Sequence, residues 1–162
     1  MVILGIDPGT ATTGYGIIKT YFKKGERRAR TLKCLGFGCI KTDPIDNFPK
    51  RLVVLSRGIK KLVKNYQPQL VAIESLFFFK NQKTIIRVSE AIGVTILVLE
   101  KMKIPIVEYS PLQVKKFLTK NGRADKKDIQ KKVKKILKIK DVSIKDDAAD
   151  ALALALYAAH HT

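Results

Sequence analysis

Four acids in this chain stand where chemistry is done. Asp7 closes an apolar run, Val2-Ile3-Leu4-Gly5-Ile6, and is followed at once by Pro8-Gly9. Glu74 closes a second apolar run, Leu70-Val71-Ala72-Ile73. Asp147 and Asp150 are three residues apart ahead of an Ala/Leu-rich stretch, so on a helix they share a face. If the two runs are adjacent parallel strands, Asp7 and Glu74 meet at one sheet edge. Carboxylates gathered in that way repel one another unless a cation lies between them. An oxygen-only donor set suits Mg²⁺, with Mn²⁺ as the alternative. Two such ions about 4 Å apart can clamp an in-line phosphoryl displacement.

Taken singly, each acid has a plainer use. An Asp after a strand commonly forms a turn, and an Asp at a helix start commonly caps it. Asp150 resists that reading because it is followed by Ala151-Leu152-Ala153-Leu154-Ala155-Leu156 on a helix that must be largely buried. Asp146 is the better cap and is not expected to bind metal. Glu108, at the end of a third apolar run, is a weaker fifth candidate.

The elements that must position these acids follow from period and punctuation. Residues 2–6, 14–19 and 32–41 read as three successive strands, an antiparallel meander, with the basic segment 19–33 as an exposed hairpin tip. The period then changes. Leu52, Leu55, Ser56, Ile59, Leu62, Val63 and Tyr66 recur at three and four, an amphipathic helix capped by Asp46 or Asn47, with Pro49 in its first turn. A strand ends at Glu74. Residues 84–101 form a helix whose apolar positions nearly encircle it between 91 and 99, so it needs a deep core or a partner. A fifth strand covers 105–108. Ser110, Pro111 and Gln113 make a capping box for the next helix. Asp125 caps another, with Ile129, Val133, Ile136 and Leu137 on one face, and the last helix opens at Asp146 or Asp147. The plan is a mixed α/β layer protein with five strands, a single domain over 1–162.

Charge names the partner class. Lys and Arg number 32 against 14 Asp and Glu, a formal net charge of +18. Such an excess predicts a polyanion partner, first of all nucleic acid. Residues 115–140 carry twelve basic side chains and two acids. Lys115, Lys116, Lys120, Arg123 and Lys126 flank a helix start and a loop, a natural counterpart for phosphate backbone. Cys34 and Cys39 form no Cys-x-x-Cys pair, and their odd separation on one strand predicts opposite faces. No apolar run is long enough to cross a bilayer, and the first residues lack a basic leader, so a reduced, cytoplasmic protein without a membrane partner is expected.

The ordered set Gly5-Ile6-Asp7-Pro8-Gly9, Thr13-Gly14-Tyr15-Gly16, Ala72-Ile73-Glu74 with Phe77 and Lys80-Asn81, and Asp147-Ala148-Ala149-Asp150-Ala151-Leu152-Ala153 resembles the RuvC family of bacterial Holliday junction resolvases over nearly the whole chain. Each motif alone is weak, whereas their order is specific. The resemblance implies a ribonuclease H-like fold, a five-stranded mixed sheet flanked by helices. It also implies a homodimer, divalent metal, and catalytic, metal-binding carboxylates at Asp7, Glu74, Asp147 and Asp150. It implies a junction-cleaving endonuclease of DNA recombination and repair that works with a branch-migration complex. DNA contacts would fall at Phe77, Lys80, Lys115 and Lys126, with Lys116 and Arg123 beside them. The basic segment 23–30 is longer than the family's usual hairpin, and the aromatic run 77–79 is denser.

Three other readings compete. A ribonuclease H-like enzyme could act on RNA or another branched substrate. The Asp7-Pro8-Gly9-Thr10 turn also resembles the phosphate-binding turn of actin-like and sugar-kinase ATPases, which need two lobes that 162 residues cannot supply. A non-catalytic basic binding protein would not need the four acids.

Overall fold

The computed structural model describes residues 1–21, 31–75, 82–140 and 143–162. The aromatic run 77–79, Lys80, Asn81 and most of the basic segment 19–33 therefore lie outside the described residues.

The chain orders its elements as β1 (Val2–Asp7), β2 (Thr12–Tyr21), β3 (Thr31–Lys41), α1 (Phe48–Tyr66), β4 (Leu70–Glu74), α2 (Gln82–Lys101), β5 (Ile106–Tyr109), α3 (Pro111–Thr119), α4 (Lys126–Leu137) and α5 (Asp146–His161). The five strands form one sheet in the order β3-β2-β1-β4-β5. The first three pair antiparallel as the expected meander, while β4 joins β1 in parallel and β5 joins β4 in parallel.

Alternation along the strands divides the core in two. Leu4, Ile6, Ile17, Val71 and Ile73 point to α1 and α2, where Leu55, Ile59, Val63, Ala91, Val98 and Leu99 meet them. Ile3, Ile18, Leu70 and Ala72 point to the other face, covered by α3, α4 and above all α5. The buried run 151–156 makes α5 apolar all round, as a helix wedged between a sheet and two other helices must be.

Helix entries follow the local chemistry. Asn47 Oδ1 accepts from Lys50 N at 3.1 Å, and α1 has proline in its first turn. Ser110 and Gln113 close the capping box of α3, and Asp125 Oδ1 accepts from Asp128 N at 2.8 Å to cap α4.

The structure corrects several expectations. Cys34 and Cys39 lie on the same face of β3, both against the α5 side of the core. The pairing of β2 with β3 shifts register between Ile17 and Ile18, which makes Leu35 an extra, bulged residue and reverses the parity between the two cysteines. Ile136 is 40% exposed while Ile129, Val133 and Leu137 are buried. On α2, Ile86 and Leu97 are 59% and 54% exposed, eleven residues and three turns apart, so part of this apolar helix is left for a partner rather than a deep core. Finally, Asp146 does not cap α5. Lys145 holds the extended cap position without a side-chain hydrogen bond, and Asp146 is the first helical residue.

Candidate active site

Register brings the first two acids together. Ile6 is level with Ile73 in the parallel pair, so Asp7 and Glu74 are the next residues at the same ends of adjacent strands. By alternation both leave the sheet on the α5 face. Glu108 is in register with Ile73 and exposed, which by the same alternation sends it to the opposite face and out of the site.

Close approach brings in the other two. A β-carbon at Gly5 would overlap the Ala151 carbonyl, and one at Gly14 would overlap the Asp147 carbonyl. Bare backbone at these two positions lets α5 lie directly on β1 and β2. Gly14 is also the residue paired with Asp7. The first turns of α5 are thereby held over the end of β1, with Asp147 and Asp150 beside Asp7.

A cleft of about 110 Å³ opens there, lined by Asp7, Glu74, Pro111, Val114, Lys115, Ile129, Asp150, Ala153 and Leu154. Pro111, Val114 and Ile129 make its α3 and α4 side apolar apart from Lys115, and it is acidic at the strand ends. Burial pushes the Asp7 carboxyl up to about 8, helped by the charges of Glu74, Asp150 and Asp147, while Lys126 opposes them. Burial and then Asp150 push Glu74 up to about 7, against Lys115. Asp150 is raised as well, by burial first, with Lys126 and Lys115 pulling it down and Asp146 and Asp147 pushing it up.

Asp7 and Glu74 thus hold protons near neutral pH when no cation is present, and a divalent ion would displace them. No three His, Cys, Asp or Glu side chains among the described residues stand closed around one metal position. The donor set nevertheless fits a hard divalent cation: four carboxylates, no nitrogen or sulfur, and a buried charge excess that a cation would neutralise.

Two of the expected DNA-binding lysines stand near these acids. Lys115 lines it from α3, and Lys126, the first residue of α4, acts electrostatically on Asp7 and Asp150. Lys126 Nζ is 3.3 Å from Asp146 Oδ2. Lys116 and Arg123 are exposed and do not line the cleft. Phe77 and Lys80 lie outside the described residues.

Asp146 has a role that sequence reasoning missed. Its side chain accepts from Gln130 Nε2 at 2.6 Å through Oδ1 and pairs with Lys126 through Oδ2. Local pattern offered no signal for a contact that spans α4 and α5.

Among the described residues no helix is long and apolar enough to cross a membrane.

Comparison with known proteins converges on one family. Residues 3–159 match the model of the crossover junction endodeoxyribonuclease RuvC family. The RuvC of Petrotoga mobilis is 44% identical over 155 residues, spanning 96% of this chain and 91% of that protein. The solved Thermus thermophilus RuvC superposes with a TM-score of 0.83 at 29% identity, covering 97% of this chain and 92% of that one. The same enzyme in complex with a Holliday junction substrate superposes with a TM-score of 0.88 at 28% identity, covering 99% and 94%. The ribonuclease H-like fold expected from the sequence is the fold found.

Proposed function

The chain belongs to the crossover junction endodeoxyribonuclease RuvC family, and we propose from that premise that it resolves four-way DNA junctions by paired, symmetric nicks during recombination and repair. One observation carries the reading for this chain: Asp7, Glu74 and Asp150, from β1, β4 and α5, line one cleft with Lys115, while Asp147 and Lys126 stand within electrostatic reach of Asp7. Acid and base placed in that way fit a metal-assisted attack on a phosphodiester.

Asp7, Glu74, Asp147 and Asp150 would hold two divalent ions, Mg²⁺ in the first instance with Mn²⁺ as the alternative, and Asp7, on the central strand, would serve both. When bound, the ions supply the charge that activates the attacking water and stabilises the leaving 3′ oxygen. Water adds to phosphorus and the bond to the 3′ oxygen breaks, leaving a 5′ phosphate and a 3′ hydroxyl that a ligase can rejoin. Lys115 and Lys126 neutralise phosphate oxygens as the strand enters, and Lys116 and Arg123 extend the positive track along the backbone. Phe77 and Lys80 would add a base stack and a further phosphate contact on the segment after β4.

Two nicks at symmetric positions require two active sites, which a C2 dimer supplies. The side of α2 that carries the exposed Ile86 and Leu97 is the surface we assign to that contact. A branch-migration complex is the further partner of such a nuclease, and 1–162 would act as one nuclease domain, in the cytoplasm.

The test is incubation of the purified chain with a synthetic four-way junction, a linear duplex and an RNA–DNA hybrid, each with and without Mg²⁺. Paired nicks in the junction alone, only with the metal, are the expected result. Cleavage of the hybrid in preference to the junction, or none of any substrate, would overturn the assignment.

A further inference from the structure

The geometry points to Asp146 as a positioning residue that, anchored by Gln130, holds the Lys126 ammonium beside the site and off the Asp147 and Asp150 carboxylates. The inference rests on the nuclease reading above and adds a residue that reading does not use.

The two oxygens of Asp146 are divided. Oδ1 accepts from Gln130 Nε2 at 2.6 Å, and Oδ2 faces Lys126 Nζ at 3.3 Å. Gln130 is itself fixed, because Nε2 also reaches the Ile144 carbonyl at 3.2 Å. Lys126 and Gln130 are four residues apart and so lie on one face of α4. The backbone before α5, the Gln130 amide, the Asp146 carboxylate and the Lys126 ammonium thus form one chain of contacts.

What that chain opposes is visible in the charges around Lys126. Partial burial alone would lower its ammonium, yet the Asp146 hydrogen bond and charge, followed by Asp150 and Asp147, raise it. After Asp146, the acids that attract this lysine most are two of the four proposed ligands. Lys126 is 64% exposed, on a long, flexible stem. Released from Asp146, it would be drawn inward onto Asp150 and Asp147, where it would occupy the place of a cation. An ion pair this exposed adds little stability, so its use must lie in where it keeps the lysine.

Asp146→Asn preserves shape and the Gln130 contact while removing the charge that holds Lys126. Cleavage should slow about three- to tenfold in kcat, while junction affinity without divalent ions stays equal or tightens. In a Lys126→Ala background, Asp146→Asn should cost nothing further, whereas with Lys126 present Asp146→Glu should lose less than Asp146→Asn. Gln130→Ala, which keeps the charge but frees the carboxylate, should slow kcat in the same direction.

Losses that add in the double variant would overturn the inference, as would weaker metal-free binding by Asp146→Asn, which marks a fold defect. Complete loss of cleavage by Asp146→Asn would make Asp146 a metal ligand and overturn it too. A wild-type chain that leaves the junction whole would overturn the nuclease reading and this inference with it. Cleavage by the wild type with additive losses would overturn this inference alone.

Discussion

Gly14 on β2 lies so close to the carbonyl of Asp147 on α5 that a methyl group at position 14 would overlap it. The neighbouring oxygen is backbone, which cannot swing aside as a flexible side chain would. Gly14 is also paired with Asp7 across β1 and β2, so one small residue sets the spacing between two acids of the site.

Gly14→Ala should therefore destabilise the fold by about 1–3 kcal/mol, the usual cost of overpacking. It should also reduce cleavage per folded molecule by lifting Asp147 away from Asp7. Urea unfolding and single-turnover cleavage measure the two effects separately. Full activity in a stably folded Gly14→Ala would show that this spacing is not needed.

Stability without metal should depend on pH in an unusual direction for carboxylates. Asp7 and Glu74 have folded-state values of about 8 and about 7, above the ordinary 3.8 and 4.5. Between roughly pH 4 and 8 the folded chain binds more protons at these groups than the unfolded chain does. Their contribution is complete below the unfolded values and is lost as pH rises through the folded ones. Asp7→Asn removes the larger of the two effects. It should stabilise the metal-free protein at pH 8 by on the order of a few kcal/mol, and much less at pH 4. Melting temperatures of both proteins in a chelator, across that range, check the sign. An equal difference at both ends would mean that the Asp7 carboxyl is not held protonated. Mg²⁺ at pH 8 should stabilise the wild type more than Asp7→Asn.

The acids were legible in the sequence because three elements announce their own ends. Apolar runs stop at Asp7 and Glu74, so strand adjacency brings those two together, and the Ala/Leu stretch of α5 follows Asp147 directly, which marks Asp147 and Asp150 as acids at the start of a buried helix. The capping residues Asn47, Ser110 and Asp125 were legible for the same local reason. Other features depended on contacts that no short window contains. The β3 bulge at Leu35, which places Cys34 and Cys39 on one face, is fixed by how β3 pairs with β2. Asp146 reads as a cap from its neighbours, but Lys145 takes the extended backbone position and the Asp146 side chain is claimed by α4. Ile136 fits the apolar period of α4 yet stays partly in solvent, because Ile129, Val133 and Leu137 already fill the face turned to α5.

Helix α2 gives a test of assembly that separates its two sides. Ile96 is partly buried and packs against the core, while Leu97 is more than half exposed on the outside. A charge at Ile96 should destabilise the fold, since a partly buried unpaired charge is costly. Leu97→Glu should leave the fold intact and yield monomers, because the charge is buried only when two copies meet. Sedimentation with circular dichroism distinguishes the outcomes. A folded Leu97→Glu that keeps dimer mass would move the contact elsewhere.

Lys115 and Lys116 are neighbours with different surroundings. Lys115 lines the cleft and acts on Glu74 and Asp150, whereas Lys116 is exposed beyond it. Lys115→Ala should weaken junction binding, lower the magnitude of its salt slope by roughly one and slow cleavage. Lys116→Ala should weaken binding without changing the rate of the bound complex. Equal effects of both on single-turnover rate would show that the cleft geometry does not distinguish them.

The four carboxylates give the decisive prediction. Asp7→Asn, Glu74→Gln, Asp147→Asn and Asp150→Asn should each abolish nicking, because every one removes a charge from the set proposed to hold two ions. Metal-free junction binding should be unchanged or tighter in each, since an amide in place of an acid never adds negative charge to the path of an incoming phosphate and removes it wherever the acid is ionised. The combination separates chemistry from folding: a misfolded variant loses both, a catalytic one loses only cleavage. Asp7→Asn is the sharpest case, because relief of a buried, mutually repelled carboxyl should also make that variant the most stable of the four without metal. In the wild-type reaction the nicks should be sealed by ligase without prior end repair, as a 5′ phosphate and a 3′ hydroxyl require. Metal-dependent cleavage that survives Asp7→Asn or Glu74→Gln would refute the two-ion assignment, since Asp7 is the residue proposed to serve both ions and Glu74 its neighbour across the parallel strands.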